Sequence, residues 1–558
     1  MGFSGLSNVM QGLFSSQEAL RITSQNIQNA STDGYARRVA KFSSTTPTGN
    51  AGVSVSGEVM RDNYLDSKVW NETSISTEWS TKSDYYDRIM GIIDEPTDYS
   101  ISQVTNDFFK AFETLANEPS NISYRVATID AAEQFTNLLN NMGAQLENLQ
   151  GEINEDIYTY VSVVNGIIDE IADLNNKIYQ TEIAGRDASF LKDTLNTKIE
   201  ELSKYGDVTV EEVYKGKLSN GAEDRKTVVT FGGFVVVSHN KPTKLTCVKR
   251  EIKTNPEDIE GLYDIELETG SRLDFRSGKL KGLLELRDGD GNSDTSWIKG
   301  IVYYTKELND FASTFAKAFN EGMIDYNRNE DLDAGEHTKG FADMYTFSTE
   351  KDWILDANGD PVLDAEGNPT YNVDGEGNPI YKKPGLRFFT TNNETSRDFV
   401  AEILADPVND ELTNLDPEAV NDVYKKVTAK NISISRDILD NVENMPSSFT
   451  NAEYENDVQA ILDVIGFRED PNIFNSGDVD GFIEGMVTSI GLDAAKSISL
   501  RDLHTTLLED SENSRAAYSD VSLDEEATFA VQFQYMYKAC ANIVNIYSEL
   551  YDSLLSAI

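Results

Sequence analysis

The sequence predicts a mainly α protein with inserted β-rich domains, its N- and C-terminal helices paired as a coiled-coil rod that carries two lateral insert domains. Three observations predict it. Toward the C-terminus, Ala530, Phe533, Tyr537, Cys540, Val544, Tyr547, Tyr551, Leu554 and Ile558 step by threes and fours without a miss, lining one side of a helix at about 3.6 residues per turn. At the N-terminus, Leu6, Leu13, Leu20 and Ile27 recur at strict sevens, the spacing of a narrow helix–helix seam. Between the ends, the helical period is interrupted twice, first by period-two runs and then by turn-forming repeats.

Residues 1–60 open an inner core domain. A helix from about Ser4 to Ala30 stops at Asn29-Ala-Ser-Thr-Asp-Gly34-Tyr35, a run of turn formers with a Gly able to take positive φ. Val53, Val55 and Val59 then alternate as a hairpin or extended linker. Residues 61–206 form the first part of a long-helix rod domain. Val69, Ser76, Trp79, Ser83, Tyr86, Met90 and Ile93 share a face up to Pro96, and Phe108, Phe112 and Leu115 lead to Pro119. An apolar stripe from Leu146 to Ile178, with a lead-in from Tyr124, exceeds ordinary globular helix lengths.

In 207–277 the period switches to two, through Val208, Val210, Val213, Val228-Val229, Phe231 and Val235-Val236-Val237, and marks an inserted β-rich domain. The rod's returning helix occupies 278–340, running from near Gly278 through Ile301, Tyr304, Leu308, Phe311, Phe315 and Phe319. A second outer insert spans 341–480 and holds a tandem repeat: Asp356-Ala-Asn-Gly-Asp-Pro, Asp364-Ala-Glu-Gly-Asn-Pro and Asp374-Gly-Glu-Gly-Asn-Pro. This is turn chemistry, expected as a surface stack of β-hairpins. The last part of the rod covers 481–520, and the C-terminal helix of the inner core domain covers 521–558, opening on Ser522 as N-cap with Glu525 three residues on.

A stripe this narrow needs a partner helix, from the same chain or a neighbour. An isolated helix is marginal in water. The expectation is that both ends are largely disordered in the monomer and order by pairing when subunits stack.

Composition excludes several functions. With 95 acidic against 48 basic residues, the chain carries −47, a field that repels phosphate backbones and anionic lipid, so neither nucleic acid nor membrane is an expected partner. No run of 18 apolar residues occurs, and the first basic residue is Arg21, so neither a membrane span nor a cleaved secretory signal is expected. Two cysteines, Cys247 and Cys540, make neither a disulfide framework nor a metal site. His239, His337 and His504 stand apart from one another, and no HExxH, GxSxG or phosphate-binding loop occurs. Asp288-Gly-Asp290-Gly-Asn292-Ser-Asp294 alternates oxygen ligands like a calcium loop, yet Ser293 stands where Gly is needed and Lys299 where the closing acid is needed. Arg37-Arg38 is read as a structural or interface pair. Neither catalysis nor a cofactor nor a metal is expected.

At Glu18-Ala-Leu-Arg-Ile-Thr-Ser-Gln-Asn-Ile-Gln-Asn-Ala-Ser-Thr-Asp-Gly-Tyr-Ala-Arg37 the chain resembles the N-terminal signature of bacterial flagellar axial proteins, matching at Ala19, Leu20, Ser24, Asn26, Ile27, Asn29, Ala30, Thr32, Gly34, Tyr35 and Arg37. Gly278-Lys-Leu-Lys-Gly-Leu-Leu-Glu-Leu-Arg-Asp288 with Phe311, Phe315 and Phe319, the segment Phe482 to Gly491, and Val521-Ser-Leu-Asp-Glu-Glu526 are similar to the hook-associated junction family of the bacterial flagellum. The segment after Arg287 is more Gly/Asp-rich than that family's helical continuation.

The resemblance implies a structural protein that joins hook to filament as a ring-like layer and permits flagellin filament growth. It implies export through the flagellar type III apparatus to an extracellular site without a cleaved signal. The implied partners are further copies of the chain, the hook protein, the next hook-associated protein or flagellin, and an export chaperone on the C-terminal helix. The implied assembly residues are the two seams together with Asn26, Asn29, Gly34 and Tyr35. A hook or distal-rod protein shares the first signature and lacks the middle motif. A calcium-dependent surface adhesin accounts for the acidic turns and leaves the paired seams unexplained.

Overall fold

The computed structural model of the 558-residue chain describes residues 2–44, 53–93, 100–217, 223–292, 297–322, 339–346, 353–354, 361–364, 367–373, 380–381, 383–405, 412, 415, 417–449 and 457–557. Both ends of the chain form one unit. Helix α1 (Gly2–Asn29) runs antiparallel to α14 (Leu523–Ala557), with Arg37 beside Glu525 at one end and Gly12 against Cys540 further along. Strands β1 (Arg38–Ser44) and β2 (Val53–Val59) pair antiparallel from Arg38↔Val59 to Ser44↔Val53. This hairpin lies on the helix pair. Phe42 meets Phe533 at 5.9 Å between ring centres, and the Ser15 hydroxyl donates to the Val53 carbonyl at 2.7 Å. The two ends thus lie together within one chain.

The rod begins with α2 (Asn63–Ile93), α3 (Ile101–Asn117), α4 (Ile122–Ile183) and α5 (Ser189–Ser203). At 62 residues, α4 is about 93 Å long given a rise of about 1.5 Å per residue. Asn121 caps it by accepting from the Ser123 amide, and its stripe through Leu139, Leu146, Ile153, Ile157, Val164 and Ile171 is buried.

Helix α2 departs from the expected face. Of that face Val69, Ser83, Tyr86 and Ile93 are buried while Ser76, Trp79 and Met90 are only half-buried, and Thr73, Ser74, Glu78, Thr81 and Lys82 are buried as well. The reason is that α2 packs on more than one side, against α5, α6 and α13. Its small hydroxylated residues satisfy themselves on the helix, Thr77 donating to the Thr73 carbonyl and Thr81 to that of Thr77. Buried Lys82 is held between Glu78 and Glu285, each at 2.5 Å, as a buried charge requires.

The first insert is built from β3 (Val208–Lys217), β4 (Glu223–Phe231), β5 (Phe234–Ser238) and β6 (Lys241–Pro242), in the order β3-β4-β5-β6, and from the antiparallel pair β7 (Leu245–Lys249) and β8 (Tyr263–Leu267). It hangs on α4. Asn165 pairs with both backbone groups of Leu245, Asn175 donates to the His239 carbonyl, and Lys244 pairs with Asp169 at 2.8 Å. The anchor is Arg287, fully buried, which donates to Asn154, the Tyr263 carbonyl and Asp288, while Asp288 also holds Arg250.

The returning helix of the rod is two helices, not one. Helix α6 (Lys279–Asp288) stops at Gly289, and α7 (Ile301–Glu321) starts after Gly300. A Cβ on Gly289 would stand 2.4 Å from the Glu285 carbonyl, and one on Gly300 2.3 Å from that of Leu286. The chain doubles back too tightly there for any side chain. This is the Gly/Asp-rich stretch noted in the sequence.

Beyond α7 lie β9 (Phe389–Thr391), the short helices α8 (Ser396–Phe399), α9 (Ala401–Leu404) and α10 (Pro417–Tyr424), β10 (Ile432–Ile434), α11 (Arg436–Asp440) and α12 (Val458–Ile465). The β9–β10 pair docks on the rod through Asn320, which bonds to Phe388 and Phe389, and Asn140, which donates to Ala429 and Ile432. Phe108, Phe112, Phe135, Phe315, Phe319 and Phe389 close into one aromatic core at this end of the rod, with Phe108 within 4.9–6.1 Å of the other five ring centres. The tandem repeat falls partly outside the described residues. Its described parts form antiparallel bridges, Trp353↔Tyr371 and Leu363↔Pro369. Helix α13 (Val479–Ser519) returns along α2, linked by Glu72 to His504, Ser76 to Thr505 and Ser83 to Arg501. Among the described residues no helix is long and apolar enough to cross a membrane.

Candidate functional site

Buried polar groups must find hydrogen-bond partners, and this gives the segment after α1 one conformation. Asn26 is fully buried, and its amide donates to the Arg38 carbonyl at 2.8 Å. Its oxygen accepts from the Arg38 amide at 3.1 Å and the Tyr35 hydroxyl at 2.8 Å. One side chain thereby closes the loop from Asn29 to Arg38. Gly34 supplies the reversal at φ +74°, packed so closely on α5 that a Cβ would stand 2.2 Å from the Thr197 hydroxyl.

Three arginines around this loop hold the terminal unit together and bind it to the rod. Arg37 accepts from the Met60 amide, donates its own amide to the Ser519 carbonyl, and pairs at 2.8 Å with both Glu525 and Glu526. Its guanidinium also lies over Phe529 at 5.8 Å. Arg38 reaches Asp193 on α5 at 3.2 Å and stacks on Tyr35 at 4.9 Å. Arg61 bonds to the Gly34 carbonyl, to Asp193 at 3.2 Å and to Asp66 at 3.6 Å. From α13, Arg515 pairs with Glu200 at 2.6 Å and lies 3.8 Å from Asp66. A polar cavity of about 260 Å³ sits among Thr32, Gly34, Arg61, Asp66, Glu200 and Arg515. Burial pushes the Asp193 carboxyl up to about 6 despite Arg61 and Arg38 beside it, and burial raises that of Asp66 as well. The arrangement is a joint of ion pairs, without a nucleophile and base set side by side.

The residues expected at the assembly surface lie as follows. Asn26 and Tyr35 are buried in the joint, and Asn29 is half-buried. Leu6, Leu13 and Leu20 are half-buried, whereas Ile27 is 40% exposed. On α14, Phe533 is buried, Ala530, Cys540, Val544, Tyr547 and Tyr551 are half-buried, and Tyr537 is exposed. Leu554 and Ile558 fall outside the described side chains. The fully buried positions of α1 are instead Ser16, Ala19, Ile22, Thr23 and Asn26. A period of seven sees only large apolar residues, so it passes over the small and polar ones that let the hairpin approach. Arg37-Arg38 is legible as a structural pair, whereas Arg61, Asp66, Asp193 and Arg515 are not, because ion pairs between residues so far apart in sequence leave no local pattern.

No metal centre accompanies them: among the described residues no cluster of His, Cys, Asp or Glu could hold an ion. In the calcium-like loop, Asp288 is taken up by Arg287 and Arg250, and Asp294 lies outside the described residues. His239 packs edge-on against Tyr179 and His504 faces Glu72 at 3.1 Å, while His337 lies outside the described residues.

Residues 86–325 match the family model of the flagellar hook-associated protein FlgK helical domain. Flagellar hook-associated protein 1 of Bacillus subtilis is 23% identical over 577 residues, covering 99% of this chain and 98% of its own. The protein of the same name from Escherichia coli is 24% identical, with 99% of each chain covered. The chain is similar to these hook-associated proteins over its full length. The solved structure of the flagellar hook junction protein FlgK from Burkholderia pseudomallei aligns with 83% of this chain and all of its own, at 14% identity and a TM-score of 0.48. The matched stretch runs from within α2 to just past α7. The end unit lies outside that match, as do the arginines of the joint, while their partners Asp193 and Glu200 fall within it; the full-length relatives cover both.

Proposed function

We propose that this chain is a structural protein of the bacterial flagellum that joins hook to filament as a ring-like layer and permits the flagellin filament to grow. The observation that carries the reading is the closed end unit: α1 and α14, from opposite chain ends, lie together, and Arg38 and Arg61 tie the unit to the rod through Asp193, in a chain whose relatives over its full length are hook-associated proteins. The relatives' names describe structural proteins, and a non-enzymatic role follows from that reading.

The end unit buries only one side of α14. Val531, Tyr535, Ile543, Ile546 and Leu550 remain exposed on the other. Surface of this kind is characteristic of an interaction site, and neighbouring copies, the hook protein and the next hook-associated protein or flagellin are its partners in the assembled layer. An export chaperone covers the same helix before assembly. Delivery is extracellular, through the flagellar export apparatus without a cleaved signal. Leu6, Leu13, Leu20 and the stripe of α14 act in assembly, with Asn26 and Gly34 holding the joint.

The test is electron microscopy of a strain lacking the gene, with flagellin measured in the medium. Bare hooks of normal length with shed flagellin are the expected result. Missing hooks would move the protein down to the hook or distal rod. Intact filaments would remove the junction role and leave a surface adhesin as the reading.

A further inference from the structure

The first insert is electrostatically unlike the rest of the chain. Between 215 and 253 nine basic residues meet three acidic ones, a local +6 in a chain of −47. Strand register puts part of that charge on one open face. Val229, Val237 and Pro242 lie in one cross-strand row, with Val229 and Val237 buried. The neighbouring row, Val228, Ser238 and Lys241, and the pair Val213 and Lys226 therefore point away from the rod. Val235, opposite Thr230, is 46% exposed on this same outer face. Lys226 and Lys241 have no ion-pair partner among the described residues, and Glu211 is the one acid in these rows.

An acidic counterpart lies on α13. Leu503, Leu507 and Tyr518 are exposed at helical spacing, and Asp510, three residues past Leu507, falls on their side. Asp510 is engaged in no ion pair among the described residues. The two surfaces are level along the rod. Helix α5 spans between their supports, Lys198 pairing with Glu170 on α4 and Glu200 with Arg515 on α13, and the sheet hangs on α4 at Asn165, Asp169 and Asn175.

We propose that the apolar, lysine-bearing outer face of the first insert docks on the apolar, acidic stripe of α13 in a neighbouring copy of this chain. Two different patches at one height form a heterologous contact, the kind that closes into a ring. Packing copies that each carry −47 meets mutual repulsion, and the lysines at this seam offset it locally, with valine, leucine and tyrosine excluding water around them. The inference rests on the junction reading and specifies how its layer coheres.

Charge reversal on each side tests it in cells that express the full chain from its own locus. K226E/K241E and, separately, D510K are each expected to lose attached filaments and release flagellin into the medium. Combining all three substitutions restores attachment, because the pairing is re-formed with its signs exchanged. The lysines and Asp510 lie on different parts of the fold, so a folding defect in one variant leaves the other informative, and a changed melting profile of the purified variant identifies it. Wild-type attachment in K226E/K241E or in D510K, or a triple variant no better than either, would overturn the docking. Blotting the chain in sheared hook–filament preparations separates the two readings. Absence of the wild-type chain there refutes the junction role itself, while its presence with no rescue refutes only this seam.

Discussion

Replacing Gly34 with alanine probes the joint at its tightest point. Gly34 sits at φ +74° with its absent Cβ 2.2 Å from the Thr197 hydroxyl oxygen. A left-handed backbone costs a residue with a Cβ about 1–2 kcal/mol. The steric part comes on top. To make room, Thr197 must rotate and give up its bond to the Asp193 carbonyl at 3.2 Å, a further loss of about 0.5–1.5 kcal/mol. G34A should therefore weaken the joint by about 1.5–3.5 kcal/mol, accelerating local opening by about tenfold to a few hundredfold. A chain of this size does not unfold in one step, so the assay is amide hydrogen exchange read across 34–38 and 193–197. T197A removes the clashing oxygen and leaves Thr197 Cβ at 3.6 Å, an ordinary contact. The double variant G34A/T197A should consequently be less damaged than the sum of the singles, recovering the steric part and keeping the backbone part. Exchange in G34A equal to that of the wild type, or strict additivity in the double variant, would refute the close packing of loop and α5.

Four further outcomes follow from the same geometry. G12C should form a disulfide with Cys540 under mild oxidation, since a Cβ at position 12 stands 3.1 Å from the Cys540 Sγ; a faster band on non-reducing gels that vanishes in G12C/C540S reports it, and its absence in the purified monomer would show that α1 and α14 pair only on assembly. N26A strands the Arg38 amide, its carbonyl and the Tyr35 hydroxyl, at about 1–3 kcal/mol for each buried group left unpaired, and proteolysis between 29 and 38 should quicken accordingly. R287M removes the anchor of the first insert and leaves Asp288 with Arg250 alone. It should cost about 3–5 kcal/mol, read as faster exchange in β7 and β8 with α3 unchanged. The last outcome is pH dependence at the joint. Because burial raises the folded-state carboxyl of Asp193 to about 6, above its unfolded value of about 3.9, the native joint holds a proton that the unfolded chain does not. That stabilisation is full below about 4 and lost as pH rises through about 6. Protection of 34–38 should fall across this window in the wild type and change less in D193N; an identical pH profile in both would remove Asp193 as the titrating group.

The helices were legible wherever apolar residues repeat in one register. The stripe of α4 from Leu146 to Ile178 and the Phe311, Phe315, Phe319 face of α7 are buried as their spacing requires, because a helix packed along one side leaves that record in its sequence. The period-two runs at Val208–Val213 and Val228–Phe231 became paired strands for the same reason. Helix α2 was misread on its buried side, since Thr73, Glu78 and Lys82 are held inside by partners on other elements that no window of local sequence contains. The break between α6 and α7 was visible as Gly289 and Gly300, although the tight doubling-back that demands them was not.

The sequence by itself determined the mainly helical class, the inserted strands, the seams at both ends and the absence of a recognisable catalytic motif, since each depends on spacing along a few turns or on composition. Only the tertiary structure decided what those seams meet and what holds them. Pairing of α1 with α14 across more than 490 residues of intervening chain and the arginine joint through Asp193 and Asp66 join groups distant in sequence, and the closure of the loop on Asn26 depends on where that side chain is buried. A buried charge is tolerated only where its counter-charge arrives in space, and that arrival is a property of the folded chain.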